Sequence, residues 1–296
     1  MSVRSYRARQ NPPCTRTATA RGAPAGRCSS QTWAGASPYR YSTGGGTSAS
    51  CQGDPYGEVV MQAAVQLAQG VFRIPTAPFD GINSFAFVED DGSVTLVDCG
   101  LKRAPGRIVA GLAAFGRHPR DVTRIVLTHA HADHAGGARR LRGETGAPVA
   151  IHADDAEWAR RGHIPPTDTS TTSGRLLGRF GVKRFAPFEV EQELTDGAEL
   201  PVAGGLRVVH TPGHTPGHVA LLHPSTGVLV TGDSIGNLFG MRWATLAFCS
   251  DARLTQTTAD RLAELDYTVA AFTHGPHIAD RARDRIRRFL ASARRL

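Results

Sequence analysis

From residue 70 onward, short apolar runs alternate with clusters of glycine, proline and aspartate. Gly70-Val71-Phe72-Arg73-Ile74-Pro75, Asn83-Ser84-Phe85-Ala86-Phe87-Val88 and Val94-Thr95-Leu96-Val97-Asp98 read as successive strands, with Asp90-Asp91-Gly92 as the turn between the last two. Over residues 103–116 the apolar positions Ile108, Val109, Leu112 and Phe115 fall at helical spacing. A strand ending at Thr128 follows, then a helix through Ala138 and Leu141, a short strand over Pro148–His152 and a helix from Asp154 to Arg161. Between Gly162 and about Phe188 the periodicity fails, and Pro165, Pro166 and the polar run Thr167–Ser173 predict a surface loop or lid. Strand patterns return at Leu206–His210, Val219–Leu222 and Val228–Thr231. Asp251 predicts the cap of a helix through Leu262 and Leu265. Tyr267–Thr273 reads as a strand, and Ile278, Ile286, Phe289 and Leu290 mark a terminal helix. Strands followed by mixed strands and helices, twice over, predict two facing sheets with helices outside.

Charge divides the chain differently. The formal net charge is +8, but residues 1–57 contain seven arginines against the single acid Asp54, which leaves only +2 for residues 58–296. A body this close to neutral offers no electrostatic footprint for nucleic acid. The front segment is rich in Ser, Thr, Gly, Ala, Pro and Arg, so it reads first as a disordered extension, or as a reading frame opened too far upstream with Met61 as the alternative start. An organelle transit peptide is the second reading. No apolar run of eighteen residues exists, so no membrane span is expected. Cys14, Cys28 and Cys51 lie in the front segment, and Cys99 and Cys249 stand alone, so neither a disulfide framework nor a cysteine zinc site is implied. A reducing compartment fits, and the expected location is cytoplasmic, or organellar if the front segment is a transit peptide.

The chemistry is concentrated in Thr128-His129-Ala130-His131-Ala132-Asp133-His134, directly after the apolar stretch Arg124-Ile125-Val126-Leu127. Histidine is the commonest neutral metal ligand, and a carboxylate among several suits a divalent cation such as zinc. Alternation along a strand lets His129 and His131 point the same way, while Asp133 and His134 on the following turn can face a second ion. Three further segments place a His or Asp at a strand end beside Gly or Pro: Thr211–His218, Thr231-Gly232-Asp233 and Thr273-His274-Gly275-Pro276.

Asp98, the His129–His134 run, His214, Asp233 and His274 stand in the order and context of the metallo-β-lactamase-fold superfamily, a resemblance covering roughly residues 70–290. It implies an α+β fold, an αββα four-layer sandwich, as one catalytic domain over residues 58–296 with the lid inserted at about 162–188. Carried over position by position, it implies that His129, His131 and His214 bind one metal. Asp133, His134 and His274 would bind a second, with Asp233 bridging. Asp98 would support the ligand loop by hydrogen bonds, and Asp133 would also handle a proton. Paired ions of this kind activate water for attack on a carbonyl or phosphoryl centre. Zinc is the first expectation, with iron or manganese as alternatives.

The resemblance leaves the substrate open, because this fold carries many reactions. Hydrolysis of a small ester, thioester or lactone, in the manner of the glyoxalase-II-like and lactonase-like branches, is the expected activity. The alternatives are a persulfide dioxygenase-like oxidoreductase with a single iron and the phosphodiesterase or nuclease branch. About 22 residues follow His274, short of the helical domain that glyoxalase II carries there. The β-lactamases of broadest activity use Cys where this chain has Asp233, and the motif of the dioxygenase branch is absent from Ser234-Ile235-Gly236-Asn237-Leu238. The remaining histidines read as structural: His218, His152, His210 and His277 near the site, and His118, His163 and His223 on the surface or in loops. Arg175, Arg179, Lys183 and Arg184 read equally as contacts for an anionic substrate or as a solvated face of the lid, and Trp158, Phe180, Phe185 and Phe188 read as its packing ahead of an apolar substrate wall. Asn83 and Ser84 are assigned no role. The lid is where specificity for the small-molecule substrate is expected.

Overall fold

The computed structural model describes residues 62–169, 175, 183–202 and 204–293, so the front segment 1–57 and the middle of the lid, including Arg179 and Phe180, lie outside the described residues. The described residues belong to one compact unit, Tyr56–Leu296. Its first half contains β1 (Val65–Ala68), β2 (Val71–Pro75), β3 (Asn83–Val88), β4 (Val94–Val97), α1 (Pro105–Ala114), β5 (Val122–Val126), α2 (Ala132–Ala135), α3 (Ala138–Thr145), β6 (Val149–His152), α4 (Ala153–Arg161) and β7 (Gln192–Leu194). The second half contains β8 (Glu199–Leu200), β9 (Leu206–His210), β10 (Val219–His223), β11 (Val228–Val230), β12 (Ile235–Gly236), β13 (Arg242–Trp243), α5 (Ala252–Thr258), α6 (Arg261–Glu264), β14 (Val269–Ala271) and α7 (Ala282–Ser292).

β1 to β7 form a seven-stranded sheet in sequence order, and a second sheet has the order β14-β11-β10-β9-β8. The central strands are largely buried on both faces, and the two-residue period sorts their side chains. Phe85, Phe87, Val97 and Val126 from the first sheet meet Leu206, Val208, Val219, Leu221 and Val230 from the second in a shared core. Their neighbours Ala86, Leu96, Ile125 and Leu127 pack outward with Ile108, Leu112, Leu141 and Ala156 of the flanking helices. On the far side, Val209, Ala220, Leu229 and Ala270 pack with Leu262, Ile286 and Leu290. Each large side chain removed from water this way contributes about 1.5–3 kcal/mol. The order of layers is therefore helix, sheet, sheet, helix.

Several boundaries differ from the sequence pattern. The helix after Asp251 breaks at Asp260 into α5 and α6, and the strand expected over Tyr267–Thr273 keeps ladder pairing only at Val269–Ala271. His223 is a correction: it ends β10 buried against Phe87, with ring centroids 5.1 Å apart, and its Nδ1 pairs with Thr226 Oγ1 at 2.7 Å. No helix among the described residues is long and apolar enough to cross a membrane.

β4, β5, β6 and β7 run parallel, as do β11 and β14, so the segments leaving β4, β5, β11 and β14 emerge together. Two main-chain hydrogen bonds join the sheets at that edge, Val219 N to Thr128 O at 3.0 Å and Asn83 N to Thr273 O at 2.8 Å.

Candidate metal centre

The residues leaving these strands converge. β5 runs through Leu127 and Thr128 into His129, and His131, still extended at φ −96° and ψ 157°, precedes α2, whose first turn carries Asp133 and His134. His214 lies in the turn after β9, Asp233 follows β11 and His274 follows β14. One candidate ligand atom from each of His129, His131 and His214 lies within 4.8 Å of the others, and the same holds for Asp133, His134, Asp233 and His274. Asp233 stands between the groups: its Oδ2 is 3.3 Å from His214 Nε2 and 3.2 Å from His274 Nε2, and its Oδ1 is 3.4 Å from His134 Nε2. Asp133 Oδ2 is 3.3 Å from His274 Nε2 and 3.8 Å from His134 Nε2.

The pattern of satisfied and unsatisfied atoms tests whether this pocket fits divalent ions. Nε2 of His129, His131, His134 and His214 and Oδ1 of Asp233 are buried with no hydrogen-bond partner. Burying such an atom without a good hydrogen bond costs about 1–3 kcal/mol, and five of them converge on one volume, an arrangement that bound cations would satisfy. Nδ1 is engaged in His134, His129, His214 and His274. His134 Nδ1 meets Asp98 Oδ2 at 2.9 Å, His129 Nδ1 meets Thr128 Oγ1 at 3.1 Å, His214 Nδ1 meets Cys249 Sγ at 3.4 Å and His274 Nδ1 meets Gly81 O at 2.6 Å. Imidazoles held this way present a fixed lone pair at Nε2, as metal ligands do. The donor set of imidazoles and carboxylates is that of a divalent metal site.

Charge in the cluster balances internally when no ion is bound. Burial alone lowers His134 and His274, but the carboxylates of Asp233 and its neighbours outweigh it and push them up to about 10 and about 12. Burial raises Asp133 and Asp233, and the same two imidazoles more than reverse this. His131, dominated by desolvation, falls to about 4, so its lone pair is free at neutral pH.

The supporting residues are as informative as the cluster. Asp98, fully buried at a left-handed φ of 58°, accepts from Thr128 N at 2.8 Å, from Thr128 Oγ1 and from His134. His218 accepts the Asp233 main-chain N–H at Nε2, 2.7 Å away. Gly232, at φ +54°, passes so close that a Cβ there would lie 2.5 Å from that nitrogen. Sequence reasoning missed Asp155, whose carboxylate accepts from Ala130 N at 2.8 Å, Thr215 Oγ1 at 2.7 Å and Gly217 N at 2.7 Å. It lies in the first turn of α4, and nothing local in the sequence distinguishes it from Asp154 beside it. Asn83, given no role, donates from Nδ2 to Phe272 O at 3.0 Å and Gly275 O at 2.9 Å, which holds the segment bearing His274.

His152, Asp154 and His210 form a third group of possible ligands. The two imidazole rings stack 3.9 Å apart at 15°, so their in-plane lone pairs cannot converge on one ion, and His210 Nε2 is occupied by Pro216 O at 2.8 Å. In the lid, Phe188 is buried in the outer core, with Trp158 and Phe185 packed against it.

A cavity of about 410 Å³ opens over the cluster, lined by His131, Asp133, His214, Asp233 and His274 at its base. Of the described lid residues, only Ile164 lines it. Leu238, Arg242, Trp243, Thr245 and Phe248 form most of the wall, on and after the β12–β13 hairpin.

Residues 77–274 match the family model described as the metallo-beta-lactamase superfamily. A hydroxyacylglutathione hydrolase of Cereibacter sphaeroides is 33% identical over 156 residues, 52% of this chain and 48% of that protein. The chain thus spans about half the length of that relative. The probable metallo-hydrolase YflN of Bacillus subtilis is 27% identical over 62% of this chain and 71% of its own. Among solved structures, a metallo-beta-lactamase family protein from Thermus thermophilus is 32% identical over 76% of this chain and 80% of that chain, with a TM-score of 0.59.

Proposed function

Because this chain belongs to the metallo-beta-lactamase superfamily, we propose that it is a metal-dependent hydrolase of small-molecule esters, thioesters or lactones, with a dinuclear zinc centre. The observation that carries this reading is the convergence of four partnerless imidazole nitrogens and one carboxylate oxygen beneath an open, largely apolar cavity. His129, His131 and His214 would hold one ion. Asp133, His134 and His274 would hold the other, with Asp233 shared. Ions bound there supply Lewis acidity, lowering the pKa of water toward about 7 and stabilising negative charge on the attacked oxygen.

The chain's own residues do the rest. Asp98 and Asp155 hold the two ligand loops in register, so that the reacting groups meet without reorganisation. Asp133 lines the cavity with Oδ2 close to His274 and His134, where it can take and return a proton during acyl transfer to water. Leu101, Trp243 and Phe248 exclude bulk water from the bound acyl group. The relative described as a hydroxyacylglutathione hydrolase supports acyl transfer over phosphoryl transfer.

The test is a screen of zinc-loaded protein against thioester, lactone, β-lactam and phosphodiester reporters, with metal counted by plasma mass spectrometry. About two equivalents of zinc and turnover of an acyl reporter are expected. His131→Ala should lose one ion and nearly all turnover, and full activity in that variant would reject the assignment. Oxygen consumption with glutathione persulfide would instead support the iron alternative.

A further inference from the structure

The cavity wall carries information about the substrate that the metal cluster does not. Its apolar part is formed by Leu101, Ile164, Leu238, Trp243 and Phe248. Leu101 is 43% exposed, a large apolar side chain left at the opening, and Trp243 is braced from behind by Phe289, with ring centroids 5.1 Å apart. Among the described residues, the only Lys or Arg lining this cavity is Arg242.

Several arginines of the chain engage carboxylates, whereas Arg242, like Arg124 and Arg287, bonds main-chain carbonyls. Arg73, Arg142, Arg160 and Arg261 each pair with a carboxylate. Arg242 has no carboxylate within ion-pair distance among the described residues. Its contacts are Nε to Gly240 O at 3.4 Å and Nη2 to Phe239 O at 3.1 Å, carbonyls of its own hairpin. These fix one edge of the guanidinium and leave donors of its five N–H groups unspent. The register sets Gly236 opposite Arg242, and both line the cavity, so no side chain across the hairpin competes for the cation. Arg242 is exposed, and a planar guanidinium tethered at one edge without an internal anion can recognise a carboxylate or phosphate.

Resting on the acyl-hydrolase reading, we infer that the substrate has an apolar acyl portion with one anionic group: the apolar part seated against Leu101, Ile164, Trp243 and Phe248, and the anion held by Arg242. The cavity volume lies within the range of small-molecule sites and is large enough for such an acid. Arg242 is then a specificity-determining residue that acts on binding and leaves the chemical step to the cluster.

The experiment compares matched activated esters whose acyl chains end in a methyl or in a carboxylate, across a series of chain lengths, in wild type, Arg242→Gln and Arg242→Lys. For the carboxylate series, Arg242→Gln should raise KM about 10- to 100-fold with kcat within about threefold. The methyl series should shift in KM by less than about threefold, and Arg242→Lys should recover part of the loss on the carboxylate series. Equal effects on both series, or none on either, would overturn the inference. If neither series is turned over, the acyl-hydrolase reading fails by itself. Calorimetric titration of zinc-loaded protein with mono- and dicarboxylates then reads the anion site directly. Tighter binding of a dicarboxylate that Arg242→Gln abolishes supports the site, and indifference to that substitution overturns it.

Discussion

The Asp155 carboxylate accepts the Thr215 hydroxyl at 2.7 Å while also holding the Ala130 and Gly217 main-chain N–H groups, so one side chain of α4 spans the two loops that carry His129, His131 and His214. Asp155→Ala strands three buried donors at once. A loss of about 3–5 kcal/mol is expected, or roughly 10 °C in Tm, with zinc affinity down about 10- to 100-fold. Thermal unfolding and competition with a chelator measure the two effects, and an unchanged zinc affinity would dismiss Asp155 as a positioning residue.

Asp155 also gives a pH signature. Burial pushes its carboxyl up to about 6, against the hydrogen bonds of Thr215, Ala130 and Gly217. A carboxyl raised above its unfolded value of about 3.9 binds its proton more tightly in the folded state. The stability it contributes is therefore fully present below about pH 4 and is lost as pH rises through about 6. In chelator-treated protein, the margin of wild type over Asp155→Asn should shrink by on the order of 3 kcal/mol between about pH 4 and 7. Urea titrations showing a constant or widening margin would contradict this.

Asp98 should act on one ion selectively. It supports His134, so Asp98→Asn, which leaves one acceptor oxygen where three donors shared two, is expected to weaken the second ion about 10- to 100-fold and to spare the first. Zinc stoichiometry on dilution distinguishes the sites. Simultaneous loss of both ions would show that Asp98 holds the whole loop and not His134 in particular.

Zinc loading should expel protons. The carboxylates of Asp233 and Asp133 favour the charged forms of His134 and His274 in the ion-free cluster, and ligation requires them neutral. About two protons or more per chain should appear as a dependence of the calorimetric heat on buffer ionisation enthalpy. A heat independent of buffer would mean that the cluster is neutral before the metal arrives.

Gly232→Ala is a conservative change with a specific victim. The left-handed backbone and the overlap with His218 Nε2 together cost about 2–4 kcal/mol, and relief moves the residue that follows, Asp233. Activity should fall more than stability accounts for, read as kcat at a temperature where the variant remains folded.

Much of this was legible because the relevant information is local in the chain. Buried strands such as residues 85–87 and Val228–Val230 show as unbroken apolar runs, and the candidate ligands cluster at strand ends beside Gly and Pro. What escaped depends on long-range contact. β7 is largely exposed and the β12–β13 hairpin has two residues per strand, so neither shows a period. Asp155 reaches Thr215 and Gly217 across 60 and 62 residues, a separation with no sequence signal. The long polar lid drew attention as the seat of specificity, whereas the described wall is mostly the hairpin. Leu238 and Trp243 there are too few and too isolated to look like a pocket in advance.

The two main-chain bonds joining the sheets beside the cluster have a consequence for assembly. On the proposed assignment, the chain's first half supplies His129, His131, Asp133 and His134, and the second supplies His214, Asp233 and His274. Neither half alone can complete the shell of either ion. Tight metal retention would then act as a proofreading step, marking only those molecules in which both halves have been made, folded and closed on each other.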